Sequence, residues 1–223
     1  MANLYFFDID GTLVNLTRVH AKAYMTAYQK VLGKEAEGIK KEEIIATFGM
    51  AERAQHKQIF EKHNLSDEGR IAGIIKIYEK LFLDALNLVE VKPLPGAVNF
   101  LDYLKKQGDH IGIIHGGPKY KGEIILKKAG LHNYFSLFGY DEGFNERKEI
   151  LRNIVKKARE KGYRFKKIVV IGDTREDIRA GKAEKAITVA VATGTETKEK
   201  LKMGKPDIIV STLKQYPEIL KKV

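Results

Sequence analysis

The chain of 223 residues has no cysteine, no tryptophan and only five prolines. Without Cys there are no disulfides, no thiolate metal ligands and no cysteine nucleophile, which suits a reducing compartment. No stretch approaches the roughly 20 apolar residues that span a bilayer, and the N-terminus lacks a basic start followed by an apolar signal core, so a cytoplasmic protein is expected. The six histidines (His20, His56, His63, His110, His115 and His132) show no metal-ligand spacing, which argues against a His-based transition-metal centre.

Charge, by contrast, is abundant. Lys and Arg number 40 against 29 Asp and Glu, for a formal net charge of +11. Such a surface steers anionic ligands. The lysines are dispersed along helices beside glutamates with sparse aromatics between them, a solvated basic surface rather than a nucleic-acid interface. Many Lys and Glu without Cys or Trp also match the composition of heat-adapted proteins. At 43% hydrophobic and 31% charged, the chain is long enough for one α/β domain and a smaller one.

The N-terminal run Leu4-Tyr5-Phe6-Phe7-Asp8-Ile9-Asp10-Gly11-Thr12-Leu13 reads as a buried strand ending in two carboxylates. Side chains alternate in an extended segment, so Asp8 and Asp10 point the same way, roughly 6–7 Å apart. At the C-terminal end of a parallel strand, that pair stands where open α/β sheets bind ligands. Two Asp and a Gly also make an ordinary polar turn, so the rest of the chain must supply partners.

From residue 15 to 92 the pattern is helical throughout. Helices are expected over Thr17–Leu32, with Thr17 capping the start, over Lys41–Phe48 and Ala51–His63, and from after Ser66 to about Leu88. Pro93 and Pro95 end this interval. Crossings at residues 14–16 and 91–95 suggest a hinged lid. Beyond them, helices alternate with short apolar strands: helix Pro95–Gln107, strand His110–His115, helix Pro118–Ala129, strand Ser136–Gly139, helix Asn145–Lys161 and strand Lys167–Ile171. A short helix, strands Ile187–Val191 and Asp207–Val210 and a helical tail follow. This order implies βαβ units and a parallel sheet.

A second strand also ends in acids, Ile168-Val169-Val170-Ile171-Gly172-Asp173-Thr174-Arg175-Glu176-Asp177. Four carboxylates at strand ends repel unless a cation sits among them, and Mg²⁺ prefers oxygen ligands. Gly116 and Gly117, before the helix at Pro118, offer backbone N–H groups to a phosphate. Lys148, near the start of its helix, can bring an ammonium beside the carboxylates, with Arg147 as its rival.

These motifs together resemble the four ordered motifs of the haloacid dehalogenase superfamily, of the phosphoglycolate phosphatase and β-phosphoglucomutase type. The resemblance implies a Rossmann-like three-layer α/β core over residues 1–14 and 93–223 with a helical cap at 15–92. It implies Asp8 as nucleophile forming an aspartyl-phosphate, Asp10 as general acid/base, and Lys148 as the neutralising lysine. It implies Mg²⁺ held by Asp8, the Asp10 backbone carbonyl and Asp173, with Asp177 as ligand or behind the ligands. An Asp at position 10 favours phosphate esters over carbon–halogen or phosphonate chemistry.

Position 115 departs from the pattern, with His where the family has Thr or Ser. A ring N–H can also donate to a phosphoryl oxygen, and an imidazolium would add positive charge. Substrate choice is expected from the cap, where Arg53 in Thr47-Phe48-Gly49-Met50-Ala51-Glu52-Arg53 can pair with a substrate carboxylate or hydroxyls. His20 is a candidate cleft residue, and Lys22 and Lys119 are weaker anion contacts. The expected function is a Mg²⁺-dependent phosphatase of a small phosphorylated metabolite. The alternatives are a β-phosphoglucomutase-like phosphotransferase and a weakly active anion-binding or nucleic-acid-binding protein. Nothing in the pattern chooses between monomer and dimer.

Overall fold

The computed structural model describes residues 2–50, 52–65, 67–144 and 146–223. Ala51, Ser66 and Asn145, which bound expected helices, lie outside the described residues. Six strands form one parallel sheet: β1 (Leu4–Phe7), β2 (His110–His115), β3 (Leu137–Tyr140), β4 (Ile168–Gly172), β5 (Ile187–Val191) and β6 (Ile208–Val210). Their order, β3-β2-β1-β4-β5-β6, reverses direction between β1 and β4. Ligands bind at such switch points, beyond the carboxyl ends of the strands.

The register places two acids side by side there. Phe7 pairs with Ile171, and the Asp8 amide donates to the Ile171 carbonyl at 2.9 Å, so Asp8 and Asp173 emerge from adjacent strands. Both faces of β1 are buried. Tyr5 and Phe7 meet Phe100 edge-on at 6.1 and 5.6 Å, whereas Leu4 and Phe6 join Leu151, Ile154 and Ala180 in a second cluster. Continued alternation carries Asp8 towards this second side, which belongs to α7 (Arg147–Glu160) and α8 (Arg175–Ala183).

Between β1 and Pro93 lie α1 (Thr17–Leu32), α2 (Lys41–Ala46), α3 (Glu52–Lys62) and α4 (Glu68–Leu88), with no strand among the described residues. Thr17 does not cap α1. The first N–H groups go instead to Asp10 Oδ1, from Leu16 at 2.6 Å, and to Asn15 Oδ1, from Thr17 at 3.1 Å. The two crossings touch, since the Leu94 amide donates to the Leu13 carbonyl at 2.7 Å.

The remaining helices are α5 (Ala97–Gln107), α6 (Lys119–Lys128), α9 (Lys198–Met203) and α10 (Tyr216–Leu220). The short α9, capped by Thr197, lies in a segment where the sequence pattern showed no helix. Among the described residues no helix is long and apolar enough to cross a membrane.

Candidate active site

Asp8, Asp173 and Asp177 are buried, and each brings a carboxylate oxygen within 4.8 Å of the others. Two glycines make room for this cluster. A Cβ on Gly11, whose φ is +87°, would stand 2.4 Å from Asp173 Oδ2, and one on Gly194 would stand 1.7 Å from it. Asp173 is fixed by the Thr195 amide on Oδ2 at 3.1 Å and the Thr12 hydroxyl on Oδ1 at 3.5 Å. Burial pushes the Asp173 carboxyl well above its ordinary range, helped by repulsion from Asp8 and Asp177. Burial also raises Asp8, to about 7, against the pull of Arg147.

Arg147 is the cation of this cluster. One guanidinium nitrogen donates to Asp8 Oδ1 at 2.5 Å and another to Asp177 Oδ1. Burial works against its charge, but Asp177, Asp8 and Asp173 outweigh that and hold it protonated. The other oxygen of Asp177 takes the Thr174 amide at 3.1 Å and the Thr174 hydroxyl at 2.6 Å. Both Asp177 oxygens are therefore engaged, while Arg147 holds Asp8 through Oδ1 and not through Oδ2.

Three buried acids crowd one arginine and repel one another, which drives Asp8 and Asp173 towards their protonated forms, and oxygen donors this close suit a hard divalent cation that would relieve the repulsion. The donor set therefore fits Mg²⁺; Asp173 Oδ1 carries only the 3.5 Å contact from Thr12, whereas both Asp177 oxygens are held closely, one of them by Arg147.

Asp10, less buried, sits at the mouth of the cluster. His20 Nε2 lies 3.1 Å from its Oδ2, and His20 Nδ1 lies 2.6 Å from the Tyr78 hydroxyl. His115 lines the same cavity with Gly116 and Gly117. Its Nε2 is buried without a hydrogen-bond partner, and a Cβ on Gly117 would approach that atom to 2.8 Å. Burial, with Lys121, Arg147 and His20 nearby, pushes the His115 imidazole well below its usual range. Burial thus favours the uncharged ring over an imidazolium at this position.

The helical insert closes the cavity. A Cβ on Gly49 would meet Thr174 Oγ1 at 2.9 Å, so the loop after α2 rests on the turn that opens α8. From this side Glu52, Gln55, Tyr24 and Tyr78 line a space of about 100 Å³.

The sequence model of the haloacid dehalogenase-like hydrolases matches residues 5–191. The chain belongs to that family. A Clostridium perfringens relative carrying the pyrophosphatase name PpaX is 27% identical over 223 residues, covering 100% of this chain and 99% of that one. An Aquifex aeolicus phosphoglycolate phosphatase is 27% identical over 177 residues, 79% of this chain and 78% of that one. The crystal structure of a hydrolase from Pseudomonas syringae shares the fold, with a TM-score of 0.84 at 19% identity over 100% of this chain and 99% of that one.

Within this haloacid dehalogenase-like frame two expected positions are displaced. Lys148 points away from the acids and pairs at 2.6 Å with Glu146 on the surface, so the buried cation is its neighbour Arg147. Arg53 is likewise exposed and pairs with Glu68 at 2.5 Å, whereas Glu52 faces the cavity. The cause is the same in both cases, because one residue along a helix turns the side chain by about 100°.

Asp8, Asp10, His20, His115, Gly116, Gly117 and Asp173 all line the cavity, as does Arg147. Lys22 is exposed, and Lys119 is exposed beside Glu123. Lys121, absent from the expected set, is buried in the cavity wall.

Proposed function

We propose that the chain is a Mg²⁺-dependent phosphatase that hydrolyses a small phosphate monoester through an aspartyl-phosphate on Asp8. The observation that carries this reading is the Arg147 fork, which holds Asp8 by Oδ1 and leaves Oδ2 outside the fork in a cavity shared with Asp10. Asp8 Oδ2 attacks phosphorus, and the ester oxygen leaves with the proton of Asp10. Asp10, now a carboxylate, takes a proton from the water that attacks the acyl phosphate, which returns Asp8 and releases phosphate.

Arg147 and the N–H groups of the Gly116-Gly117 turn offset the charge of the transferring group. When bound by Asp8, Asp173 and the Asp10 carbonyl, Mg²⁺ supplies Lewis-acid neutralisation of that same charge. A helical cap over residues 15–92 excludes bulk water and carries the leaving-group contacts.

The test is release of inorganic phosphate from p-nitrophenyl phosphate and a panel of metabolite esters. Activity should require Mg²⁺, disappear with chelator and disappear in Asp8→Asn. Interconversion of sugar phosphates without net phosphate release would instead mark a phosphotransferase. Salt-sensitive nucleic-acid binding with no hydrolysis would overturn the enzymatic reading.

A further inference from the structure

The cavity that Asp8 lines also carries an ion pair that joins the helical insert to the core. Glu52 of α3 and Lys121 of α6 meet at 3.0 Å, Oε1 to Nζ. The same oxygen accepts the Tyr24 hydroxyl at 2.9 Å, while the ammonium also reaches the Tyr78 hydroxyl at 3.4 Å and lies over that ring at 4.6 Å. Lys121 is thus committed on several sides.

Two polar groups on the α3 wall are not. Glu52 Oε2 takes no hydrogen bond among the described residues, and Gln55 Nε2, one turn on, is buried without a partner. A buried donor left unpaired is costly, so Gln55 Nε2 calls for an acceptor, and Glu52 Oε2, partly exposed to the cavity, is an acceptor open to a donor from the same ligand.

The charge of that ligand follows from the pair. An anionic leaving group would meet Glu52 while Lys121 is already neutralised, and a cationic one would meet Lys121 beside it. Resting on the phosphatase reading above, we propose that Glu52 and Gln55 recognise an uncharged, hydroxyl-bearing leaving group. The substrate is then the phosphate monoester of a small polyol, not an ester carrying a second anionic group. A cavity of about 100 Å³ suits a short alcohol of this kind.

The experiment compares kcat/KM for glycerol phosphates, 2-phosphoglycolate, pyrophosphate and phosphoethanolamine, with p-nitrophenyl phosphate as a check on the site itself. Wild type should prefer glycerol phosphates by roughly tenfold or more, because like-charge contacts in a buried wall are strongly unfavourable. Glu52→Gln frees Lys121 and should narrow the gap to phosphoglycolate and pyrophosphate about tenfold. Gln55→Leu should raise KM for glycerol phosphates, and Arg53→Gln, on the outer surface, should leave the ranking as it is.

A wild-type preference for a charged ester overturns the inference without any variant. So does an unchanged ranking in Glu52→Gln. In both cases Asp8-dependent hydrolysis of p-nitrophenyl phosphate leaves the phosphatase reading standing. Absence of hydrolysis with every ester would remove both.

Discussion

Asp10 and His20 meet at 3.1 Å where the chain leaves the sheet for the helical insert. The imidazole stacks on Phe82 at 4.3 Å and its far nitrogen is held by Tyr78, so the ring cannot turn away from the carboxylate. His20 thereby fixes the group assigned to proton transfer. His20→Phe keeps the stacking and removes the hydrogen bond. It should lower kcat about tenfold to a hundredfold with a smaller change in KM, and alter the pH–rate profile. An unchanged kcat would reduce His20 to a packing residue.

Arg147 and its neighbour Lys148 should separate cleanly. Arg147→Lys cannot fork between Asp8 and Asp177 and should cost at least roughly tenfold in kcat/KM. Arg147→Ala leaves buried carboxylates unpaired and should destabilise the fold by on the order of 3 kcal/mol, read by denaturant titration without Mg²⁺. Lys148→Ala breaks only an exposed pair, so stability should move by less than about 1 kcal/mol and activity should hold.

His115 offers a neutral ring nitrogen where the family uses a hydroxyl. His115→Thr should keep or raise phosphatase activity, because the hydroxyl can donate to the same phosphoryl oxygen. Loss of the buried ring should cost about 1–3 kcal/mol in stability, measured by thermal unfolding. Complete loss of turnover would show that the imidazole does more than replace the hydroxyl.

His56 predicts a pH effect on stability. Burial lowers its pKa from 6.5 to about 4, with Glu52 opposing and Lys121 assisting. The unfolded chain therefore binds this proton more readily. Its contribution is intact above pH 6.5 and is lost as pH falls from 6.5 through 4, by on the order of 3 kcal/mol. Asp8 and Asp173, both raised, act in the opposite sense, so the clean measurement is the difference between wild type and His56→Phe. The variant should show the shallower acid destabilisation in urea titrations between pH 7 and 4.

Much of this was legible in the sequence because β1 and β4 end in acids at the switch point, and apolar period and composition reveal such strands. Strands His110–His115 and Ile187–Val191 have the expected ends, as does helix Thr17–Leu32. Lys148 and Arg53 each stand one residue along the helix from the position that faces the cavity, which residue type alone does not reveal. Arg147 is in phase with buried Ile150, Leu151, Ile154 and Val155, Glu52 with Gln55, His56, Ile59 and Phe60, and Lys121 with Ile125 and the partly buried Ile124.

A charged residue in register with an apolar stripe is the signal that finds all three, since burying it needs a partner. The Glu52–Lys121 contact itself was out of reach, because the two residues are 69 apart in the chain and meet only through the tertiary fold.

The register of β1 also bears on how the protein is made. Leu4 pairs with His110 on one side and Ile168 on the other, so β1 has no neighbour in the sheet until roughly a hundred further residues have been made. The segment bearing Asp8 is synthesised well before either of its neighbours in the sheet. Nascent chains stopped before β4 lack Asp173 and an ordered switch point, which leaves them inactive and exposes an unpaired apolar edge at β1.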